Sequence, residues 1–151
     1  MPENEQLNST PDNNPQNAET GLLLVDDDPL ILEGLGFILR KQHKLITADS
    51  RHQAMEKIHQ ADDIPGLALI DLGLPPYPHK PDEGFALIRE LLSLHPNIKI
   101  LVLSGQDNDV NIQHALTIGA VDFIAKPAQP DLLLARLQHH QRLHEIDQKR
   151  D

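Results

Sequence analysis

Four places in the chain set a reactive group close behind a short apolar run. Asp26, Asp27 and Asp28 follow Leu22-Leu23-Leu24-Val25, and Asp71 follows Leu67-Ala68-Leu69-Ile70. Ser104 and Gly105 follow the run from Ile98 to Leu103, and Lys126 with Pro127 comes shortly after the run from Val121 to Ile124. If these runs are strands of one parallel sheet, all four groups share the rim at the strands' carboxyl ends, where open α/β sheets hold their ligands. Carboxylates gathered on one rim repel each other. At about 4 Å and an effective dielectric near 20, one such pair costs on the order of 4 kcal/mol. A divalent cation relieves that cost, and an all-oxygen donor set at an open rim suits Mg²⁺ (or Mn²⁺), which keeps waters and accepts phosphate oxygens. A lysine and a hydroxyl beside the metal then hold a phosphoryl group as point charge and hydrogen-bond donor. The chemistry described is phosphoryl transfer to an aspartate.

Each of these groups has a plainer use. Acids ahead of a helix cap it and offset its dipole, each for about 0.3–1 kcal/mol; one acid explains a cap, three do not. Lys126-Pro127 alone is an ordinary turn. Gly34-Leu35-Gly36 lies inside a helical pattern and lacks a third glycine, so it is no dinucleotide fingerprint. His140 and His144 share a helix face without a third ligand, which reads as a solvated face rather than a zinc site.

The elements that must position the rim follow from periodicity. The apolar runs, with Leu45-Ile46-Thr47 as a weaker fifth, read as strands buried on both faces. Between them lie helical patterns. The first covers Pro29 to Arg40 with Asp28 as cap and Pro29 as first helical residue, and the second covers Ser50 to Gln60, capped by Asp49 or Ser50. Gly84 to His95 follows with Phe85, Ile88, Leu91 and Leu92 on one face, then Gln106 to Ile118, and Pro130 to about Ile146 carrying Leu133, Leu134 and Leu137. Five strands alternating with five helices predict an α/β, doubly wound, five-stranded parallel sheet with helices on both faces.

Composition narrows the class. The 151 residues suit one domain. Residues 1–20 are polar, hold four acids and no base, and read as a disordered tail. Acids outnumber bases 23 to 13, for a net charge of −10, which argues against binding a nucleic-acid backbone. Without cysteine there is neither a disulfide scaffold nor a thiolate metal site. No apolar run approaches the roughly 20 residues of a membrane span, and the N-terminus lacks a signal-peptide pattern, so a cytoplasmic protein that does not enter the membrane is expected.

The motifs LLLVDDDP, ALIDLGLP, ILVLSG and FIAKP, in this order and spacing, resemble the receiver domain of bacterial two-component response regulators. The resemblance covers residues 21 to about 140 and implies the flavodoxin-like receiver fold, with residues 141–151 as a helical extension toward a linker or output domain. It implies Asp71 as phosphoacceptor, Asp26 and Asp27 as the acidic pair with Asp27 the more direct Mg²⁺ ligand, and the backbone carbonyl of Gly73 as a further ligand. It also implies that Ser104 contacts the phosphoryl group, that Lys126 stabilises it, and that Ser104 and Phe123 form the switch. Taken alone, Phe123 reads as a core aromatic. Asp28 falls outside the pattern. So does the loop from Asp71 to Gly84, about five residues longer than usual and holding Pro75, Pro76, Pro78 and Pro81, an insertion of the kind surface loops tolerate. It keeps the site residues and is expected to alter access to them; its prolines read by default as a stiff spacer, with a partner-binding extended segment as the alternative. The DLGLPP loop and the RLHEI near the C-terminus look most like receivers heading activators of the nitrogen-regulation type, especially the PEP-CTERM exopolysaccharide group.

What the family implies is a switch. A sensor histidine kinase supplies the phosphoryl group, Asp71 accepts it with Mg²⁺, and the face made by the fourth helix, fifth strand and fifth helix changes shape. That face, with the C-terminal helix, is expected to support a weak homodimer. The chain is then no enzyme toward external substrates; it phosphorylates and dephosphorylates itself. No helix-turn-helix or P-loop is present, and the polar helix still continues at Asp151, so a transcriptional output is expected in a missing C-terminal part or another chain. Two rival readings fit the sequence less well. A haloacid-dehalogenase-like phosphatase would use Asp26-x-Asp28, Ser104 and Lys126, but no acidic motif follows Lys126, a cap domain is lacking, and Asp71 would have no role. A receiver-like module that is never phosphorylated would typically lack an acid or the lysine, and this sequence lacks neither.

Overall fold

The structure is a computed structural model that describes residues 21–105 and 109–150. The expected tail, residues 1–20, and residues 106–108 of the expected fourth helix lie outside the described residues. Among the described residues, five strands and five helices alternate: β1 (Gly21–Val25), α1 (Pro29–Leu39), β2 (Lys44–Ala48), α2 (Arg51–Gln60), β3 (Leu67–Asp71), α3 (Asp82–Leu94), β4 (Lys99–Ser104), α4 (Asp109–Thr117), β5 (Asp122–Ala125) and α5 (Pro130–Arg150). The strands form one parallel sheet in the order β2-β1-β3-β4-β5.

Strand side chains alternate between two cores, as the period of two requires. Leu22, Leu24, Leu67, Leu69, Leu101, Leu103 and Ile124 pack with Leu39 of α1 and Leu133 and Leu137 of α5. Leu23, Val25, Ala68, Ile70, Ile100 and Val102 pack on the other face with α2, α3 and α4, through Ala54, Ile58, Leu87, Ile88, Leu91 and Ala115. Each fully buried leucine contributes about 1.5–3 kcal/mol, and the central strands bury side chains on both faces. Hence their sequences read as unbroken apolar runs.

Local signals set the helix starts. Asp28 accepts the Leu30 N–H at 2.9 Å and Pro29 opens α1. Ser50 accepts the Gln53 N–H at 3.1 Å, while the Gln53 side chain accepts the Asp49 N–H at 2.8 Å, a reciprocal cap. α3 starts at Asp82, two residues before the expected Gly84, with Asp82 and Glu83 facing the dipole of its first turn.

The last helix departs most from expectation. His140 and His144 are buried rather than solvated. His140 Nε2 lies 3.1 Å from Asp122 Oδ2, and His144 Nδ1 lies 3.0 Å from the Asn97 carbonyl. Lys99 pairs with Asp147. Gly66 leaves room for the His144 ring, whose Nε2 would stand 2.5 Å from a Cβ there. Polar contacts therefore hold α5 to the sheet as far as Asp147, and residues 141–147 pack on the domain instead of projecting beyond it. Leu132, Leu143 and Ile146 remain exposed on the outer side of this helix. Among the described residues, no helix is long and apolar enough to cross a membrane.

Candidate functional site

The first strand delivers its acids by continuing its own ladder. Asp26 N–H donates to the Ala48 carbonyl at 3.1 Å, one step past Val25, and the chain then turns into α1. The turn is closed by Asp26 itself, whose Oδ1 accepts the Asp28 N–H at 2.9 Å. Asp26 is fully buried. Asp27 is half-buried and faces the rim cavity, whereas Asp28 is spent as the α1 cap.

Asp71 ends β3, between β1 and β4. Its Oδ1 accepts the Gly73 N–H at 3.3 Å. Gly73 sits so close under the Pro78 carbonyl that a Cβ would overlap it, which is a packing reason for glycine here. Lys126 is carried to the same place by β5. Its N–H donates to the Ser104 carbonyl at 2.8 Å, and its Nζ lies 2.7 Å from Asp26 Oδ2 and 3.4 Å from Asp71 Oδ2. The Lys126-Pro127 peptide is cis. Although the ammonium is close to Asp26 Oδ2, this buried oxygen has no well-directed hydrogen bond.

The charges strain against one another. Burial first, and the Asp26 charge second, lift the Asp71 carboxyl to about 6; Lys126 and the Gly73 N–H oppose the rise and Asp27 adds to it. Burial and then Asp26 also raise Asp27. For Lys126, burial alone pulls downward, but contact with Asp26 and the charges of Asp71 and Asp26 carry the ammonium above its usual value. Asp26, Asp27 and Asp71 each offer an oxygen within 4.8 Å of the others. One lysine among three carboxylates leaves net negative charge, and hard oxygen donors of this kind fit Mg²⁺ or Mn²⁺.

Ser104, at the end of β4, pairs in register with Ala125 and lines a cavity of about 390 Å³ together with Asp27, Asp71, Gly73 and Lys126. Phe123 pairs with Val102, two residues below Ser104 on the same sheet face, and is 39% exposed, so it is not a core aromatic. Sequence reasoning thus named residues that the fold brings to one rim, with Phe123 just outside it. It did not foresee that Pro78, His79, Lys80 and Pro81 also line the cavity, nor Asn111. The extra loop length was the available signal.

A family profile described as the response regulator receiver domain matches residues 22–138. The chain belongs to that family. It is 31% identical over 116 residues to the transcriptional regulatory protein CreB of Escherichia coli, covering 76% of this chain and 48% of that protein. Against the transcriptional regulatory protein KdpE of Staphylococcus aureus, identity is 34% over 126 residues, covering 83% and 51%. The chain thus spans about half the length of the curated relatives it matches. Among solved structures, a CheY-like receiver domain protein of Methanospirillum hungatei superposes with a TM-score of 0.76 at 28% identity, over 85% of this chain and 98% of the other. NtrX from Brucella abortus gives 0.77 at 27%, over 87% and 29%. This receiver therefore has the flavodoxin-like fold of its family, and it belongs to two-component signalling with relatives that regulate transcription.

Proposed function

We propose that this receiver, acting in the cytoplasm, accepts a phosphoryl group on Asp71 from the phosphohistidine of a partner sensor histidine kinase and passes the change to a transcriptional output. The observation that carries the reading is the convergence of Asp26, Asp27 and Asp71 within 4.8 Å, with Lys126 bridging two of them. Asp27, Asp71 and the Gly73 carbonyl would hold Mg²⁺ with Asp26 behind them, and the ion supplies charge neutralisation for the phosphoryl oxygens. An Asp71 oxygen attacks phosphorus in line while the bond to the donor breaks and its electron pair leaves with the donor. Lys126 stabilises the charge on the transferring group, and Ser104 hydrogen-bonds one of its oxygens. Positioning and electrostatics suffice for this chemistry.

The product carries about −1.5 to −2 charges at neutral pH, by analogy with other phosphorylated side chains, where the free carboxylate carried one. Ser104 moves toward it, Phe123 turns inward from its exposed position, and the α4-β5-α5 face changes shape. Leu132, Leu143 and Ile146 on the outer side of α5, with Val110 and Leu116 of α4, are exposed apolar residues that this face offers to a second copy. The likeness to NtrX is compatible with a receiver of the nitrogen-regulation type, and the PEP-CTERM subgroup is the narrower assignment within it. The test is incubation with phosphoramidate and Mg²⁺, read as a gain of one phosphoryl mass. The parent gains it, and Asp71→Asn or chelation of the metal removes it; full labelling of Asp71→Asn overturns the acceptor.

A further inference from the structure

The function above leaves the loop from Pro75 to Pro81 without a role. This loop is pinned at both ends. The Pro78 carbonyl lies against Gly73, and the Gly84 N–H donates to the Leu72 carbonyl at 3.2 Å, where a Cβ on Gly84 would overlap Leu72. Within it, Tyr77 N–H donates to the Leu74 carbonyl at 3.2 Å and Lys80 N–H to the Tyr77 carbonyl at 2.9 Å, giving two consecutive turns. Leu74 anchors the start in the core. Four prolines fix φ at their positions. A segment held this way is a folded wall, not a tether, and its residues 78–81 share one cavity with Asp27, Asp71, Ser104 and Lys126.

We infer that the 75–81 loop is a wall of the phosphoacceptor cavity that restricts the approach of water to the acyl phosphate and so prolongs the phosphorylated state. The inference rests on the receiver reading. In hydrolysis a water oxygen bonds to phosphorus on the side opposite the Asp71 oxygen. The bond between phosphorus and that oxygen breaks, its electron pair returns to Asp71 as carboxylate, and the water's protons pass to inorganic phosphate and solvent. This attack needs a narrow line of approach, and the water reaches it through the mouth of the cavity. Pro78, His79, Lys80 and Pro81 line that cavity. Small phosphodonors enter by the same route, so the wall slows them too.

Two variants test this. One replaces residues 76–80 by a two-glycine link; the other keeps the length but carries Pro78→Gly, His79→Gly and Lys80→Gly. Each is labelled with phosphoramidate and Mg²⁺, stripped of donor, and followed for loss of phosphoryl mass, with the decay of denatured labelled protein as reference. The native half-life is expected to fall by about threefold or more, equivalent to about 0.7 kcal/mol of barrier, while the denatured rates stay equal. Should the shortened variant fail to fold, the glycine triple decides. Half-lives equal to or longer than the parent's overturn the wall. A parent that takes no label at Asp71 defeats the receiver reading instead, so the two failures are distinguishable.

Discussion

Replacing Asp71 by Asn is expected to stabilise the metal-free protein, by an amount set in the pocket itself. Burial and the neighbouring Asp26 charge raise the folded carboxyl from 3.8 to about 6. At 1.36 kcal/mol per unit, a rise of that size corresponds to about 3 kcal/mol at pH 7. Water at the open mouth screens part of it, which leaves between about 1 and 2 kcal/mol. The sign follows from the direction of the shift. A group with a folded pKa above its unfolded value contributes most below the unfolded value, and that contribution is lost as pH rises through the folded one. The full penalty is therefore felt at pH 7, about half of it at pH 5, and little near pH 4. Asn has the same shape, no charge, and an oxygen for the Gly73 N–H. Thermal unfolding in a chelator at pH 7 is expected to show the variant melting about 5 °C higher, with the gap halved at pH 5. A variant no more stable than the parent at pH 7, or a gap that does not shrink with acid, refutes the reasoning.

Further outcomes follow from the same geometry. Millimolar Mg²⁺ raises the melting temperature of the parent by linkage, and Asp27→Ala shrinks that rise; an undiminished rise counts against Asp27 as a ligand. His144→Ala removes the contacts to Asn97 and Gln148 and costs about 1–2 kcal/mol in denaturant unfolding, with faster amide exchange from residue 140 onward; unchanged exchange there contradicts the docking described for α5. Burial and then His144 lower the pKa of His95, so its share of stability holds above about pH 6.5 and fades as pH falls through the folded value. His95→Gln therefore flattens the acid limb of a stability-against-pH curve, and an identical limb counts against that burial. Beryllium fluoride with Mg²⁺ tightens a weak dimer, near a dissociation constant of about 100 μM (about −5.5 kcal/mol), that Ile146→Asp disrupts. Sedimentation as a monomer with and without the mimic removes the dimer.

The parts of this fold that sequence alone reveals are those where one force dominates. β1, β3 and β4 are buried on both faces, so hydrophobic burial writes an apolar run. Asp28-Pro29 and Ser50 write helix starts because unsatisfied N–H groups need acceptors. Asp26, Asp27, Asp71, Ser104 and Lys126 were legible for a related reason, since each closes such a run and the parallel topology brings run ends together. What stayed hidden depends on contacts between distant residues. His140 and His144 are polar letters in positions that pack against Asp122, Asn97 and Gly66. No local pattern announces that burial. Phe123, read alone as core, sits on the short edge strand β5 and is exposed. The 75–81 loop announced its length but not its fold, because its turns depend on Gly73 and Gly84 accepting close backbone neighbours.

The phosphoryl group is expected to arrive on Asp71 and nowhere else. Labelling the intact chain with phosphoramidate and Mg²⁺, digesting it under conditions that preserve acyl phosphates, and sequencing the modified peptide by tandem mass spectrometry tests it directly. A single adduct is expected, in the peptide carrying Asp71. An adduct on Asp26 would point instead to phosphatase-like chemistry at the first strand, and no adduct at all would leave a receiver fold that is never phosphorylated; either result overturns Asp71 as the acceptor.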